Sequence, residues 1–414
     1  MRIENIHLAK AGNKARLSAR LTWEDCGRPS QEIFFEVEEP FCDALVPTPH
    51  AFLVPALIPA MRHGEKRILV DEPICPELWD GLDVVMAWIH QWGGASRMPL
   101  RIEARAQTSL PAPQTPDRAG CMFTGGVDSM ATLQRNRLRF PIEHPWSIRD
   151  GIIIFGLEVD RLAAFDQVLH ALSPVAKDAN LQLLPVYTNV RTLDLDWQFW
   201  EFEWEGSVYS AVAHALSKRL TVVSIGATYD VPNMNQLGSH PLLDHNYSST
   251  TLRVRHDGLT HSRFEKTKLL TEWQAGLDHL RVCNTVDRYR PETINCGQCE
   301  KCVRTMLALA AVGALERARS FSAQSLDARL VREVGGIYSP YMESCYQELL
   351  APLEARARHD LAGAIHDLLS KYRSQLEPEW RGVLRRWDEK HLNGLLRRWK
   401  HGGPFRAPAA SASS

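Results

Sequence analysis

Apolar and polar positions change their rhythm near residue 120. In residues 1–107 they mostly alternate, which predicts strands over 16–23 (RLSARLTW), 32–39 (EIFFEVEE), 67–70 (RILV) and 101–106 (RIEARA). One stretch there differs: after Pro76, Leu78, Leu82, Val85, Met86 and Ile89 recur at helical spacing. The expectation for 1–107 is therefore a β-rich α+β domain. Residues 108–120 (TSLPAPQTPDRAG) carry three prolines and no periodicity, and read as a linker. From Cys121 onward, apolar runs at 120–123, 151–159, 182–190 and 220–227 alternate with helical stretches at 128–138, 161–179 and 205–218. That is the habit of a parallel sheet with helices on both faces, an α/β fold. This second domain is taken as 121–310, followed by a helical region over 311–406 and a disordered tail over 407–414.

Composition narrows the classes. With 44% hydrophobic and 23% charged residues, the chain can build a substantial core. A net charge of -1 excludes a globally basic nucleic-acid binder. The carboxyl end is a local exception: eight Lys or Arg between Arg381 and Arg406 face only Asp388 and Glu389. Trp380, Leu384, Trp387, Leu395 and Trp399 recur among them at helical spacing, so an amphipathic basic helix is expected. It would dock on the body, or grip RNA or a partner protein. No apolar run approaches the roughly 20 residues of a membrane span, and the opening MRIENIHLAK has no apolar leader segment, so a cytoplasmic protein is expected. Nine cysteines, an odd number, then point to metal-binding or catalytic thiols rather than disulfides.

The sharpest local feature is Thr124-Gly125-Gly126-Val127-Asp128-Ser129, between the short apolar run 120–123 and the next helical stretch. Two glycines let backbone N–H groups approach a ligand, and a helix N-terminus favours an anion. Asp128 or Ser129 is expected to cap that helix, and the Ser129 hydroxyl to bond a phosphate oxygen. The plain alternative is a Gly-Gly turn capped by Asp. No lysine follows as in GxxxxGK[ST], so charge must be neutralised from elsewhere or by Mg²⁺. The loop resembles the S-G-G-x-D-S signature of the PP-loop, or N-type, ATP pyrophosphatase superfamily, with Thr124 in place of the first serine. The resemblance implies that Thr124 to Ser129 hold the pyrophosphate of ATP. It also implies that backbone around Ile154, Phe155 and Gly156 meets the adenine.

Cys296, Cys299 and Cys302 form C-x2-C-x2-C, and Cys283 precedes them by twelve residues. Four thiolates at this spacing suit a closed tetrahedral Zn²⁺ site. An iron–sulfur cluster and unmetallated thiols are the alternatives, although the ferredoxin run continues x3-C-P and Cys302 is followed by VRTMLA. Lys301 and Arg304 would offset part of the thiolate charge. The glycine loop together with Cys283 and CGQCEKCVR (296–304) resembles the 7-cyano-7-deazaguanine synthase (QueC/ExsB) family over residues 121 to about 310. The resemblance implies adenylation of the carboxylate of 7-carboxy-7-deazaguanine, followed by attack of ammonia. The family's Tyr-Pro-Asp-Cys-Arg-Pro run is missing, and both ends of the chain are additions to the short enzymes. Enlarged relatives occur in bacterial anti-phage operons such as Qat and type IV CBASS, which implies a protein amine as an alternative acceptor.

Between the two motifs lies a dense polar set suited to the edges of a planar base. Thr228, Ser239, His240 and Asp244 are the chosen contacts, with Asp244 as base-edge acceptor and His240 as proton shuttle. Arg191, after the third apolar run of this domain, could meet a carboxylate. Arg263 and Lys266, three residues apart on one helical face, would stabilise charge on the α-phosphate and departing pyrophosphate. The aromatic run WQFWEFEWEGSVYSAV (197–212) is read as core or interface, with stacking on a purine as the alternative. Two other functions fit the sequence: a PP-loop enzyme modifying tRNA, and a non-catalytic ATP-binding assembly module. The expected cofactors are ATP, Mg²⁺ and Zn²⁺.

Overall fold

The computed structural model describes residues 1–108, 118–283, 294–321 and 326–391, with side chains as far as residue 376. One ten-stranded sheet runs through both expected domains, in the order β10-β9-β6-β7-β8-β3-β2-β1-β4-β5. The first half of the chain gives β1 (Arg2–Ala11), β2 (Lys14–Thr22), β3 (Gln31–Glu38), β4 (Arg67–Val70) and β5 (Arg101–Glu103). The second gives β6 (Ala119–Met122), β7 (Ile148–Phe155), β8 (Gln182–Thr188), β9 (Val222–Gly226) and β10 (Arg253–Asp257). All four pairings among β6 to β10 are parallel, as the near-continuous apolar runs require. The join between the halves is antiparallel: Phe35 faces Thr188 and Glu36 faces Tyr187 across β3 and β8.

Side chains leave alternate faces of each strand and feed two separate cores. Met122, Ile152, Val223 and Ile225 enter one core, while Cys121, Phe123, Ile153 and Val222 enter the other. The first core is covered by α1 (His50–Arg62), α2 (Pro76–Gly93) and α5 (Glu205–Ala215). The second is covered by α3 (Val127–Arg139), α4 (Leu162–Asp178), α7 (Glu300–Val312), α8 (Pro340–Ala355) and α9 (His359–His391). Helix α6 (Arg263–Leu270) lies against α3 and α7.

Three elements were not visible as patterns, each for a physical reason. The alternation of β1 is interrupted by a register shift between Glu4 and His7, where Asn5 has φ 57°. Helix α1 is buried on nearly every side and carries Pro55 and Pro59, so it lacks an amphipathic stripe. In β10 only Val254 is buried, so nothing marks RVRHD as a strand within a polar segment. The basic carboxyl end lies outside the described residues from 392 onward, and the linker from 109 to 117 likewise. Among the described residues, no helix is long and apolar enough to cross a membrane.

The shared core constrains dissection of the chain. Trp204 of the second half donates its indole N–H to the Pro55 carbonyl of α1 at 2.8 Å, and β3 covers the outer edge of β8. A fragment starting at residue 118 would bare the β8 edge and the apolar face that α1 and α2 now cover. It should be aggregated or insoluble, whereas the full chain should elute as a folded species in size-exclusion chromatography.

Candidate functional site

Strands β6, β7 and β8 lie in sequence outward from β6, whereas β9 returns to its other side. The crevice at the carboxyl ends of β6 and β9 is therefore the switch point of the sheet, the usual ligand position in open α/β folds. A cavity of about 360 Å³ opens there. Thr124, Gly126, Val127, Asp128 and Ser129 line it directly after β6. Gly125 takes φ 78°, and a Cβ there would come within 2.6 Å of Leu172. Gly226 closes the other side, since a Cβ would meet the Asp128 carbonyl at 3.0 Å.

The loop differs in detail from the sequence expectation. Gly126, not Asp128 or Ser129, is the N-cap of α3, and no side chain caps it. The first N–H groups of this helix are thereby left for an anion. Ser129 Oγ donates to the Gly126 carbonyl at 3.2 Å and lies 3.4 Å from the Thr124 hydroxyl. Asp128 instead accepts from Arg263 at 2.5 Å and from Lys266 Nζ at 3.3 Å. Lys266 is buried and gives a second bond to the Ala227 carbonyl at 2.5 Å, so it braces the loop from behind and does not line the cavity. Arg263 does line it. Arg281, absent from the sequence expectation, straps the loop: its N–H donates to Gly125 O at 2.8 Å and its guanidinium to Thr124 O at 3.1 Å.

Of the expected adenine contacts, Ile154 lines a small apolar hollow next to the loop with Met122, Ile152 and Phe165. Phe155 points elsewhere and packs on Phe165 and Tyr187, with ring centroids 5.4 and 5.6 Å away. Thr228 and Ser239 line the main cavity. Asp244 and His240 do not, because both are spent on internal bonds. The Asp244 carboxylate is fully buried and accepts from Ser239 Oγ at 2.7 Å and His240 N at 3.2 Å. His256 Nδ1 lies 2.7 Å from it as well. His240 Nδ1 accepts the Leu242 N–H at 3.0 Å, burial pushes its pKa down, and the ring is not part of the cavity lining. Arg191 stacks over Trp200 at 4.6 Å, and its guanidinium bonds the Asp194 carbonyl away from the cavity.

The rest of the lining comes from residues that the sequence reading left as core or surface. Trp197, Trp200, Glu201 and Glu205 reach the cavity because the turn Trp200–Trp204 is π-helical. The loop residue Gly238 wedges into that turn: its N–H donates to Glu201 O at 2.7 Å and its carbonyl accepts from Gly206 N at 2.9 Å. A Cβ on Gly238 would lie 2.7 Å from three backbone atoms, so only glycine fits. Glu158 comes from the turn after β7, and Tyr229 and Tyr341 meet at 4.4 Å between ring centroids on another part of the wall. Aromatic-acidic spacing in 197–206 was the available signal, but an aromatic stripe by itself reads as core.

Glu205 is the most perturbed acid of the cavity. Burial, aided by the nearby Glu158, pushes it up to about 8, against a bond from the Tyr209 hydroxyl at 2.8 Å that acts the other way. Its folded pKa lies above that of an ordinary glutamate, so folding costs nothing through this group below about pH 4.5, and the cost grows from there to about pH 8. Glu205→Gln should therefore be more stable to urea than the unaltered chain at pH 8, by on the order of 4 kcal/mol, with most of the gap gone by pH 5.

The four cysteines at the start of α7 converge. The Sγ atoms of Cys283, Cys296, Cys299 and Cys302 all lie within 4.8 Å of one another. Two of the separations, Cys296–Cys302 and Cys283–Cys299, are 3.9 Å. A tetrahedron with metal–sulfur bonds of about 2.3 Å has edges of about 3.8 Å, so the thiols are set to hold a metal ion such as zinc. Asn295 fixes the approach of Cys283 by accepting the Val282 and Cys283 N–H groups at 2.9 and 3.2 Å. Gly297 turns at φ 68°, and Gln298 N–H points at Cys296 Sγ. Without a cation, the Cys283 thiol beside it pushes Cys299 up to about 11, a cost that metal binding reverses. The sequence expectation had Lys301 and Arg304 serving the thiolates. Both instead line the cavity, where Arg304 pairs with Glu300 at 2.8 Å.

Elemental analysis of the purified protein should find about one tetrahedral metal ion per chain. Cys299→Ser should lose most of it and lower the thermal midpoint. Comparison with protein-family profiles, curated proteins and solved structures gives no match to this chain, so the geometry of the cavity and the thiols is the ground on which function is argued.

Proposed function

We propose that the protein is a PP-loop ATP pyrophosphatase that adenylates a carboxylate, on 7-carboxy-7-deazaguanine or a related 7-deazapurine, and passes it to ammonia or a protein amine. The observation that carries this reading is the TGGVDS loop at the sheet's switch point, sharing one cavity with Arg263, Arg281, Lys301 and Arg304. Uncapped N–H groups of α3 suit phosphate oxygens, and guanidinium and ammonium groups suit the charge that a P-loop lysine would otherwise meet. The apolar hollow lined by Ile154 and Phe165, about 40 Å³, would give an adenine an apolar wall beside the loop and not a full seat.

In this reading the substrate carboxylate attacks the α-phosphorus, the bond to the bridging oxygen breaks, and pyrophosphate leaves. The amine then attacks the acyl carbon and AMP departs, which replaces a poor leaving group with a good one. Arg263 is positioned by Asp128 to meet charge growing on the phosphates, and Ser129 offers a hydroxyl at the loop. Mg²⁺ would neutralise phosphate charge, and Asp128 and Glu158 are carboxylates beside the loop of the donor type it takes. Zn²⁺ in the thiol cluster would be structural, since four cysteines leave no open position.

Incubation with ATP, Mg²⁺ and 7-carboxy-7-deazaguanine should release pyrophosphate only when the carboxylate is present. Arg263→Ala should lower kcat/KM by about a hundredfold, the usual cost of removing one charge-stabilising group, and Ser129→Ala by about tenfold. Formation of ADP and phosphate in place of AMP and pyrophosphate would overturn the proposal.

A further inference from the structure

The cavity is chemically divided. Cations and loop amides gather around Asp128, whereas Glu158, Glu201 and Glu205 share the remaining lining with Trp197, Trp200 and Tyr209. Phosphates would occupy the first set, with Glu158 at its border for Mg²⁺, and have no use for Glu201 and Glu205. Glu205 stands out within it. One carboxyl oxygen is held by Tyr209 at 2.8 Å, and the other has no hydrogen-bond partner among the described residues. That oxygen faces the cavity, where it can accept an N–H or O–H from a ligand. Indole and phenol rings beside it suit a flat ligand more than a flexible ammonium chain.

We propose that Glu205 reads the ring of the second substrate, a planar nitrogen heterocycle presenting a ring N–H next to an exocyclic amino group, with Trp197 and Trp200 against its faces. The assignment rests on the reading of the cavity as an adenylation site, because phosphate occupancy of the cationic half is what leaves the acidic half to this ring. In its ionised form the free carboxyl oxygen accepts the exocyclic amino N–H, and the oxygen that accepts from Tyr209 keeps a second lone pair for the ring N–H, a pairing that separates a 2-amino-4-oxo pyrimidine edge from one lacking the amino group. Tyr209 fixes the carboxyl so that its free oxygen faces inward, and the π-helical turn sets Trp200 on the same wall. Asp244 is excluded from this role by its three internal partners.

The test is calorimetric titration of the full chain, without ATP, using 7-carboxy-7-deazaguanine and the same compound lacking the 2-amino group. The unaltered protein should prefer the amino-bearing ring by about tenfold to a hundredfold, the usual worth of one bidentate base contact. Glu205→Gln, which keeps the shape and an oxygen for Tyr209, should bring the two affinities to within about threefold. Tyr209→Phe should reduce the preference by a smaller factor while leaving Glu205 in place. Equal affinity of the unaltered protein for the two rings, or a preference that survives in Glu205→Gln, would overturn the assignment. ATP binding by the unaltered protein, measured in a separate titration, reports on the adenylation reading by itself. Loss of that binding with ring discrimination intact would overturn the nucleotide reading and keep Glu205 as the ring contact.

Discussion

A single carboxylate ties the cavity together. Asp128 stands in the first turn of α3, accepts from Arg263 and Lys266 of α6, and through Lys266 is linked to the carbonyl just after β9. Loop, helix and strand end are thus fixed by one cluster of two cations and one anion, of which Lys266 is buried and Asp128 and Arg263 border the cavity. Such a cluster is costly to break, because removing the anion leaves an ammonium uncompensated in the interior. It also means that Asp128 shapes the site through its cations. The group that faces a ligand is Arg263, and the lysine serves the scaffold.

Metal and cavity are coupled through α7 in a comparable way. Cys299 is the N-cap of that helix, and Lys301 and Arg304 follow within its first turns. A metal ion that fixes the cysteines therefore fixes where two cavity cations begin. The C-terminal helices add Ser339, Tyr341 and Met342 to the same wall, with Tyr341 bonded to the Thr228 carbonyl at 3.0 Å. Regions with no motif of their own thus complete a site whose motifs lie elsewhere.

Legibility in the sequence followed the range of the interactions. The parallel strands β6 to β9 and helices α3, α4 and α5 were readable because burial on both faces writes itself into local composition. The glycine loop and the four cysteines were readable because backbone approach and metal ligation each demand particular residue types. The continuous sheet was not, since the β3–β8 pairing joins residues some 150 positions apart. Asp244 and His240 were chosen for chemistry that they have, but the fold turns both away from the cavity, Asp244 toward Ser239 and His256 and His240 Nδ1 toward the Leu242 N–H. Glu205 was overlooked for the converse reason: its surroundings alone make it unusual.

The wedge of Gly238 in the Trp200–Trp204 turn has a consequence for how this fold can vary. Each extra residue in a helix rotates everything before it by about 100° relative to the residues after it. Helix α5 can therefore keep its buried face against α1 while the preceding Trp197, Trp200 and Glu201 are aimed independently at the cavity. Insertion or deletion of one residue in that turn would re-face the aromatic wall and leave the packed helix in register. The bulge is a swivel between the part of the chain that must stay constant for folding and the part free to follow a ligand.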